Sequence, residues 1–264
     1  MNTFSRSLLA ETYKLKRTPI LWIALIGGLF AASLIFLIYY FQVEELLDPG
    51  VNPWTKYTGF SLTITATLLL IPFVVLLTSS IVYPEHQGHT WKYLYTLPLQ
   101  KAQFYCSKLV MVLGLVMITY LIFLLSTLLG GMILGNLQPA YGFQDYTAGG
   151  WAFLQQIMHV YIGIAGIVAL HYWLSLRWRS FIPPVGIGLL AFVVAMIIAG
   201  KTDWGLYFPY CYPILQGQLA LAETPERLNI VFWGGLSNIE WYSLGYFVLF
   251  TGLGYWEETR KSVK

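Results

Sequence analysis

An all-α integral membrane protein, with six transmembrane helices and both termini in the cytoplasm, is the fold class this sequence predicts. Three observations carry that reading. The 264 residues are 57% hydrophobic and only 10% charged, whereas soluble domains carry about a quarter charged residues. The apolar residues gather into runs of the roughly 20 residues that a helix needs to cross a bilayer. The basic residues then divide by side, as Lys and Arg do when they collect in the cytoplasm. Arg6, Lys14, Lys16, Arg17, Lys92, Lys101, Lys108, Arg177, Arg179, Arg260, Lys261 and Lys264 fall on one face, and only Lys56, Lys201 and Arg227 on the other. The acidic residues split the opposite way, with Glu11, Glu85, Glu257 and Glu258 inside and the other eight outside.

Residues 1–17 set apolar Phe4, Leu8 and Leu9 among Arg6, Glu11, Lys14, Lys16 and Arg17. Phe4 and Leu8 are one helical turn apart, so one face is greasy. An interfacial helix on the cytoplasmic leaflet is expected, the alternative being an unstructured basic arm. The run Pro19–Phe41 is too long for the core of a cleavable signal and long enough to span. Gln42–Tyr57, with Glu44, Glu45, Asp48, Pro49, Gly50 and Pro53, reads as an acidic, turn-rich outer loop. Thr58–Val82 is the second span, and Pro72 predicts a kink because its missing N–H must be compensated.

Tyr83–Lys108 (83–108) is too polar for hydrocarbon, and its lysines put it on the cytoplasmic face. Glu85 and Gly88 are predicted to open a short amphipathic helix. Thr90–Leu97 gives that helix large apolar side chains, and Pro98 stops it. Leu109–Leu134 is the third span, with Gly131 and Gly135 spaced for close helix packing. A Gly-rich outer loop, Gly135–Gly150, leads to the fourth span, Trp151–Leu176, which holds His159 and His171 and ends on Arg177-Trp178-Arg179. Phe181–Gly200 is the fifth. Residues 201–240 read as an outer segment, partly re-entrant or interfacial, with Trp204, Tyr207, Phe208, Tyr210 and Tyr212 suited to the headgroup level. The sixth span is Trp241–Trp256, or begins within Ile230–Ile239, and Glu257–Lys264 is a tail. Residues 1–264 thus form one transmembrane domain.

Several chemistries are disfavoured. Ala195–Thr202 ends in Gly-Lys-Thr, but Ala195 stands where a phosphate loop needs its first glycine, and Asp203–Pro213, with Gly205 and Pro209, does not read as a helix. Glu85, His86 and His89 do not have the His-Glu-x-x-His spacing, and one short loop rarely closes a zinc site, so polar contacts at a protein interface are the expected role, and no metal is predicted. Cys106 and Cys211 fall on opposite faces and cannot pair. His159, polar within a span, either lines a substrate path or bonds a neighbouring helix. His171 is expected to reach the interface, and Glu240 to be a solvated helix start or part of an exit gate.

Glu85, Gly88 and Thr90, then Leu97-Pro98, then a basic residue before Phe104 and Lys108, resemble the first cytoplasmic loop of type-2 ABC transporter permeases. Glu11, Lys14 and Arg17 ahead of the first span match a second element of that family. The resemblance implies that 83–108 contains a coupling helix seated in a groove of a cytoplasmic ABC ATPase. It assigns Glu85, Gly88, Thr90, Leu97, Pro98, Glu11 and Arg17 to that coupling. It also implies a second permease subunit, identical or paralogous, in the lipid bilayer. ATP and its magnesium would sit on the ATPase, with no cofactor on this chain and no nucleic acid partner.

The expected function is therefore a non-catalytic permease subunit of an ATP-driven exporter in the cytoplasmic membrane of a prokaryote. An acidic outer surface and aromatic-rich spans suit a hydrophobic or amphipathic cationic compound, and the substrate is expected to be a peptide antibiotic, a drug or a lipid. Analogy narrows this to exporters of the lantibiotic-immunity or antibiotic-resistance kind. The competing readings are a membrane-embedded enzyme using His159 and His171, and a non-transporting scaffold or sensor held to an ATPase.

Overall fold

The structure, a computed structural model, describes residues 3–16, 18–46, 52–87, 101–221 and 230–260. The first helix, α1 (Thr3–Leu15), buries a stripe of Ser7, Glu11 and Leu15, each one turn apart, while Phe4 and Leu8 are half-buried. Helix α2 (Ile20–Leu46) is apolar all round, and its inner face includes the small residues Ala24, Gly28, Ala31 and Ala32. These let it lie along the longest helix, α5 (Lys101–Leu137). A Cβ on Gly28 would stand 2.4 Å from the Thr119 carbonyl oxygen, so the two backbones meet there. Thr119 Oγ1 donates to the Ala24 carbonyl at 3.0 Å across the same contact. With 37 residues, α5 is about 55 Å long at 1.5 Å per residue. It overreaches a hydrocarbon core of roughly 30 Å.

Helix α3 (Pro53–Ile64) starts on Asn52, whose side chain accepts the Trp54 N–H at 3.0 Å, with Pro53 in the first turn, where its missing donor is not needed. It passes through a π turn, Thr65–Leu69, into α4 (Leu70–Gln87). The break expected at Pro72 is thus taken up in the turn before it. A proline ring presses on the carbonyl four residues back, here Leu68, and a wider turn relieves that clash. Helix α4 runs on through Pro84 to Gln87. Glu85 therefore closes the second span instead of opening a separate helix. The coupling helix expected after it, with Gly88, Thr90, Leu97 and Pro98, lies outside the described residues, as does Arg17.

The fourth apolar run is broken into α6 (Gly150–Gly163) and α7 (Ala165–Arg177), bent by 41°. Backbone groups freed at such a break must be satisfied inside the protein. Ser243 of the last helix, α10 (Asn238–Arg260), does this. Its Oγ lies 2.8 and 2.9 Å from the carbonyl oxygens of Ile162 and Gly163 and accepts the Gly166 N–H at 3.2 Å. Helix α8 (Ile182–Ile198) ends in a turn at Gly200, where φ is +70°. Lys201 and Thr202 donate their N–H groups to the Ile198 carbonyl. The Gly-Lys-Thr triplet therefore closes a helix rather than opening one.

Helix α9 (Tyr212–Ala220) is buried against α3 and the π turn, and Thr63 Oγ1 donates to the Gly217 carbonyl at 2.6 Å. The aromatic residues before it divide: Trp204 and Tyr207 are exposed, but Tyr210 and Tyr212 are buried, contrary to a headgroup location for all of them. A two-stranded hairpin, β1 (Phe232–Trp233) and β2 (Leu236–Ser237), turns at Gly234-Gly235 and leads into α10. The Gly131 and Gly135 pair admits aromatic side chains rather than a helix backbone. A Cβ would meet the Trp54 ring at 2.4 Å and Phe143 Cβ at 2.8 Å.

Among the described residues three helices are long and apolar enough to cross a membrane: Ile20–Gln42, Pro53–His86 and Ala102–Leu137. The bent pair α6 and α7 makes a fourth if taken as one span, and α8 is shorter at 17 residues. One end of the bundle gathers α1, the end of α4, the start of α5 and the ends of α7 and α10. There Tyr172 donates to the Tyr105 carbonyl at 2.9 Å, Tyr105 to the Thr251 carbonyl at 3.1 Å, and the Trp173 indole to Glu257 at 2.8 Å. The opposite end gathers the end of α2, the start of α3 and the end of α5. It holds an aromatic cluster of Tyr39, Trp54, Tyr57 and Phe143, with the Trp54 indole donating to the Phe143 carbonyl at 2.8 Å.

Candidate functional site

Four charged side chains close a ring at the basic end of the bundle. Lys108 Nζ lies 2.9 Å from Glu11 Oε2 and 2.7 Å from Glu85 Oε1. Lys14 Nζ lies 2.6 Å from Glu11 Oε1 and 3.1 Å from Glu85 Oε1. The side chains of Lys108, Glu11 and Glu85 are 2%, 6% and 7% exposed, and Lys14 is 46% exposed. Both ammonium groups lie over the Phe104 ring, at 5.2 and 5.4 Å, an arrangement that favours cations held away from water. Beside the ring Ser7 and Ser107 are joined through their hydroxyls at 2.9 Å.

The local folding explains the meeting. Glu11 follows Ser7 by one turn on the buried face of α1, and Ser107 and Lys108 occupy the facing turn of α5. Glu85 reaches the same point because α4 does not stop at Pro84. Charges this deep are tolerated only when paired, since each alone would cost several kcal/mol to desolvate. The ring therefore sets the register of α1, α4 and α5 against one another. Next to it, His86 Nε2 donates to the Ser175 carbonyl at 2.9 Å and extends the tie to α7.

Burial alone would raise the Glu11 carboxyl, but Lys108 and then Lys14 outweigh it and hold it below its ordinary value of 4.5. For Lys14 burial works downward, and Glu85 and Glu11 overcome it to raise the ammonium above 10.5. A carboxyl lowered by folding stabilises the fold above its unfolded value, and that stabilisation is lost as pH falls through the folded value. A raised ammonium stabilises below its unfolded value, with loss only as pH rises through the folded one. Thermal stability in detergent should therefore be flat through neutrality and fall below pH 4.5. In Lys108→Met the acid limb should flatten or invert, because acid then neutralises a stranded carboxylate. A melting series from pH 3 to pH 9 on both proteins checks this.

The resemblance singles out Glu11 and Glu85 without revealing that they share one lysine, and it includes Lys108 in its motif without assigning it to the coupling. A lysine immediately ahead of a long apolar run is the available signal. The remaining expected residues, Gly88, Thr90, Leu97, Pro98 and Arg17, lie outside the described residues.

His159 stands on α6 and donates from Nδ1 to Glu240 Oε1 at 2.8 Å, with its own side chain 35% exposed. Glu240 is fully buried and so is not a solvated helix start. Its other oxygen accepts the Ser237 N–H at 2.7 Å and the Ser237 hydroxyl at 2.8 Å, and Gln216 donates to that hydroxyl at 3.0 Å. Ser237-Asn238-Ile239-Glu240 is the serine-to-glutamate spacing that caps a helix start, with the glutamate reaching back to the N-cap amide. That signature fixes the start of α10, which hydropathy alone leaves open. His171 is likewise buried, not at an interface: its Nε2 is 2.6 Å from the Tyr210 hydroxyl, and a Cβ on Gly188 would stand 2.6 Å from its Cε1. The two histidines thus belong to separate networks, and among the described residues no three His, Cys, Asp or Glu side chains cluster to hold a metal ion.

The family model described as ABC-2 family transporter protein matches residues 7–196, from within α1 to near the end of α8 and more than half of the chain. No curated protein matches the chain.

Proposed function

Because the chain belongs to the ABC-2 transporter family, we propose that it is the permease subunit of an ATP-driven exporter, and that the Glu11–Lys108–Glu85 ring passes force from the ATPase into the helices. The observation that supports this is the position of the ring at both ends of one connection. Residues 88–100 join α4 to α5, Glu85 lies just before that connection and Lys108 two turns after it, and α1 holds Glu85 through Lys14 and Lys108 through Glu11. A load applied to the connection is then shared by three helices instead of bending one.

In this reading the bundle spans six times with both ends in the cytoplasm, counting α6 and α7 as one broken span and including α8 and α10. It pairs with a second permease, identical or paralogous, and binds two cytoplasmic ATPases that hold ATP and magnesium. The coupling residues are Gly88, Thr90, Leu97, Pro98 and Arg17, and Glu11 and Glu85 act as positioning residues. The substrate is hydrophobic or amphipathic, such as a peptide antibiotic, a drug or a lipid, and the membrane is the cytoplasmic membrane of a prokaryote. A role in antibiotic resistance goes with the same substrate class.

Substituting Gly88 by valine, or Leu97-Pro98 by Ala-Ala, should leave expression and assembly intact while ATP hydrolysis by the co-purified ATPase continues without transport. Transport per ATP hydrolysed, measured in proteoliposomes, is the quantity to monitor. An unchanged ratio in both variants removes the coupling role.

A further inference from the structure

We propose that the cavity between α2, the π turn, α4 and α5 binds a small uncharged amphiphile taken from the middle of the bilayer, of the alkylphenol kind, with one hydroxyl on an apolar body. The cavity measures about 240 Å³ and is walled by Gly27, Gly28, Leu69, Phe73, Val116 and Phe123, with Thr65, Thr119 and Tyr120 as its polar residues. Phe30 and Leu76 at its rim are 57% and 43% exposed. An apolar cavity of about 150 Å³ takes up benzene, so this one accommodates an aromatic ring with a short alkyl chain.

Two buried hydroxyls call for a ligand with a hydrogen-bonding group. Thr65 and Tyr120 are 7% and 3% exposed, and neither Thr65 Oγ1 nor the Tyr120 hydroxyl has a partner among the described residues. Tyr57 and Thr127 on the same helices are also without a partner among the described residues but do not line the cavity, whereas several neighbours are bonded. Thr58, Ser61, Thr63 and Thr78 in the same span each donate to the carbonyl four residues back. Thr65 opens the π turn and does not. Buried Tyr172 donates to a carbonyl, as do Tyr161 and Tyr212, and Thr119 in the same wall is bonded to the Ala24 and Leu115 carbonyls. Widened turns of this kind recur at functional sites.

Depth decides the chemical class. Gly28, Thr65 and Tyr120 lie within about five residues of the midpoints of Ile20–Gln42, Pro53–His86 and Ala102–Leu137, which puts them inside a hydrocarbon core of roughly 30 Å. A phospholipid headgroup does not reach them, and its acyl chain offers the hydroxyls nothing. A charged ligand at that depth is disfavoured. The inference concerns binding and holds whether or not the bound compound is exported.

The test uses the full chain in lipid nanodiscs with a diazirine-bearing 4-alkylphenol. Photolabelling should saturate and fall on the segments 27–31, 65–76 and 116–123. Unlabelled alkylphenol should compete about tenfold better than the matching alkylbenzene, the difference expected from one hydrogen bond. Thr65→Val and Tyr120→Phe should narrow that gap while leaving the melting temperature equal or higher, because each removes an unpartnered buried hydroxyl. Labelling that does not saturate, equal competition by phenol and benzene, or a lowered melting temperature in both variants overturns the proposal.

Discussion

Replacing Lys108 by methionine is expected to cost about 3–5 kcal/mol of stability, the penalty for leaving buried carboxylates without their cation. Glu11 and Glu85 each accept from this ammonium, at 2.9 and 2.7 Å, and both are almost wholly buried. Lys14 does not substitute for it, because Lys14 is 46% exposed and approaches from the rim. Lys14→Ala should accordingly change stability by less than about 1 kcal/mol. The triple variant Lys108→Met, Glu11→Gln, Glu85→Gln removes the buried charges, leaves only the half-exposed Lys14 ammonium, and should recover most of the loss. Melting of the detergent-solubilised protein at pH 7 reads all three. Recovered stability with transport still lost would separate the mechanical role of the ring from its structural one.

Glu240→Ala is expected to be the next most damaging change, costing about 3 kcal/mol through lost hydrogen bonds to a buried carboxylate and a lost helix cap. One side chain receives the Ser237 amide, the Ser237 hydroxyl and the His159 ring. Its removal should fray the start of α10 and free the β1–β2 hairpin. Glu240→Gln keeps an acceptor for Ser237 and should lose less than half as much. Melting curves together with limited proteolysis across residues 230–245 distinguish the two variants. Equal, small effects would mean that the network does not hold the helix.

How much of the fold is legible in the sequence depends on the range of the forces involved. Apolar runs identify spans locally, so Ile20–Gln42, Pro53–His86 and Ala102–Leu137 fall close to the runs read from composition. The break in the fourth run is hidden, because its freed backbone groups are answered by Ser243, 80 residues away. Pro72 announces a departure from the α-helix, but a proline acts on the carbonyl before it, so the wide turn lies at Thr65–Leu69. Glu11 and Glu85 are flagged through resemblance. That Lys108 neutralises both depends on packing between residues 97 apart, which no local pattern encodes. Glu240 is the reverse case: Ser237-Asn238-Ile239-Glu240 carries a readable cap, while the full burial of its carboxylate comes only with the fold. Tyr210 and Tyr212 show the limit of composition, since a tyrosine suited to the headgroups also suits a buried site with a partner for its hydroxyl, as His171 and the Leu206 carbonyl provide.

The most direct test of the force-transmitting role places a single cysteine at Thr90 in a chain whose Cys106 and Cys211 are replaced by serine. The cells co-express the ATPase. A membrane-impermeant maleimide should fail to label that cysteine in intact cells, and a short bifunctional maleimide should join it to an engineered cysteine on the ATPase in isolated membranes. Labelling from outside, or no cross-link in an assembled and hydrolysing complex, contradicts the account.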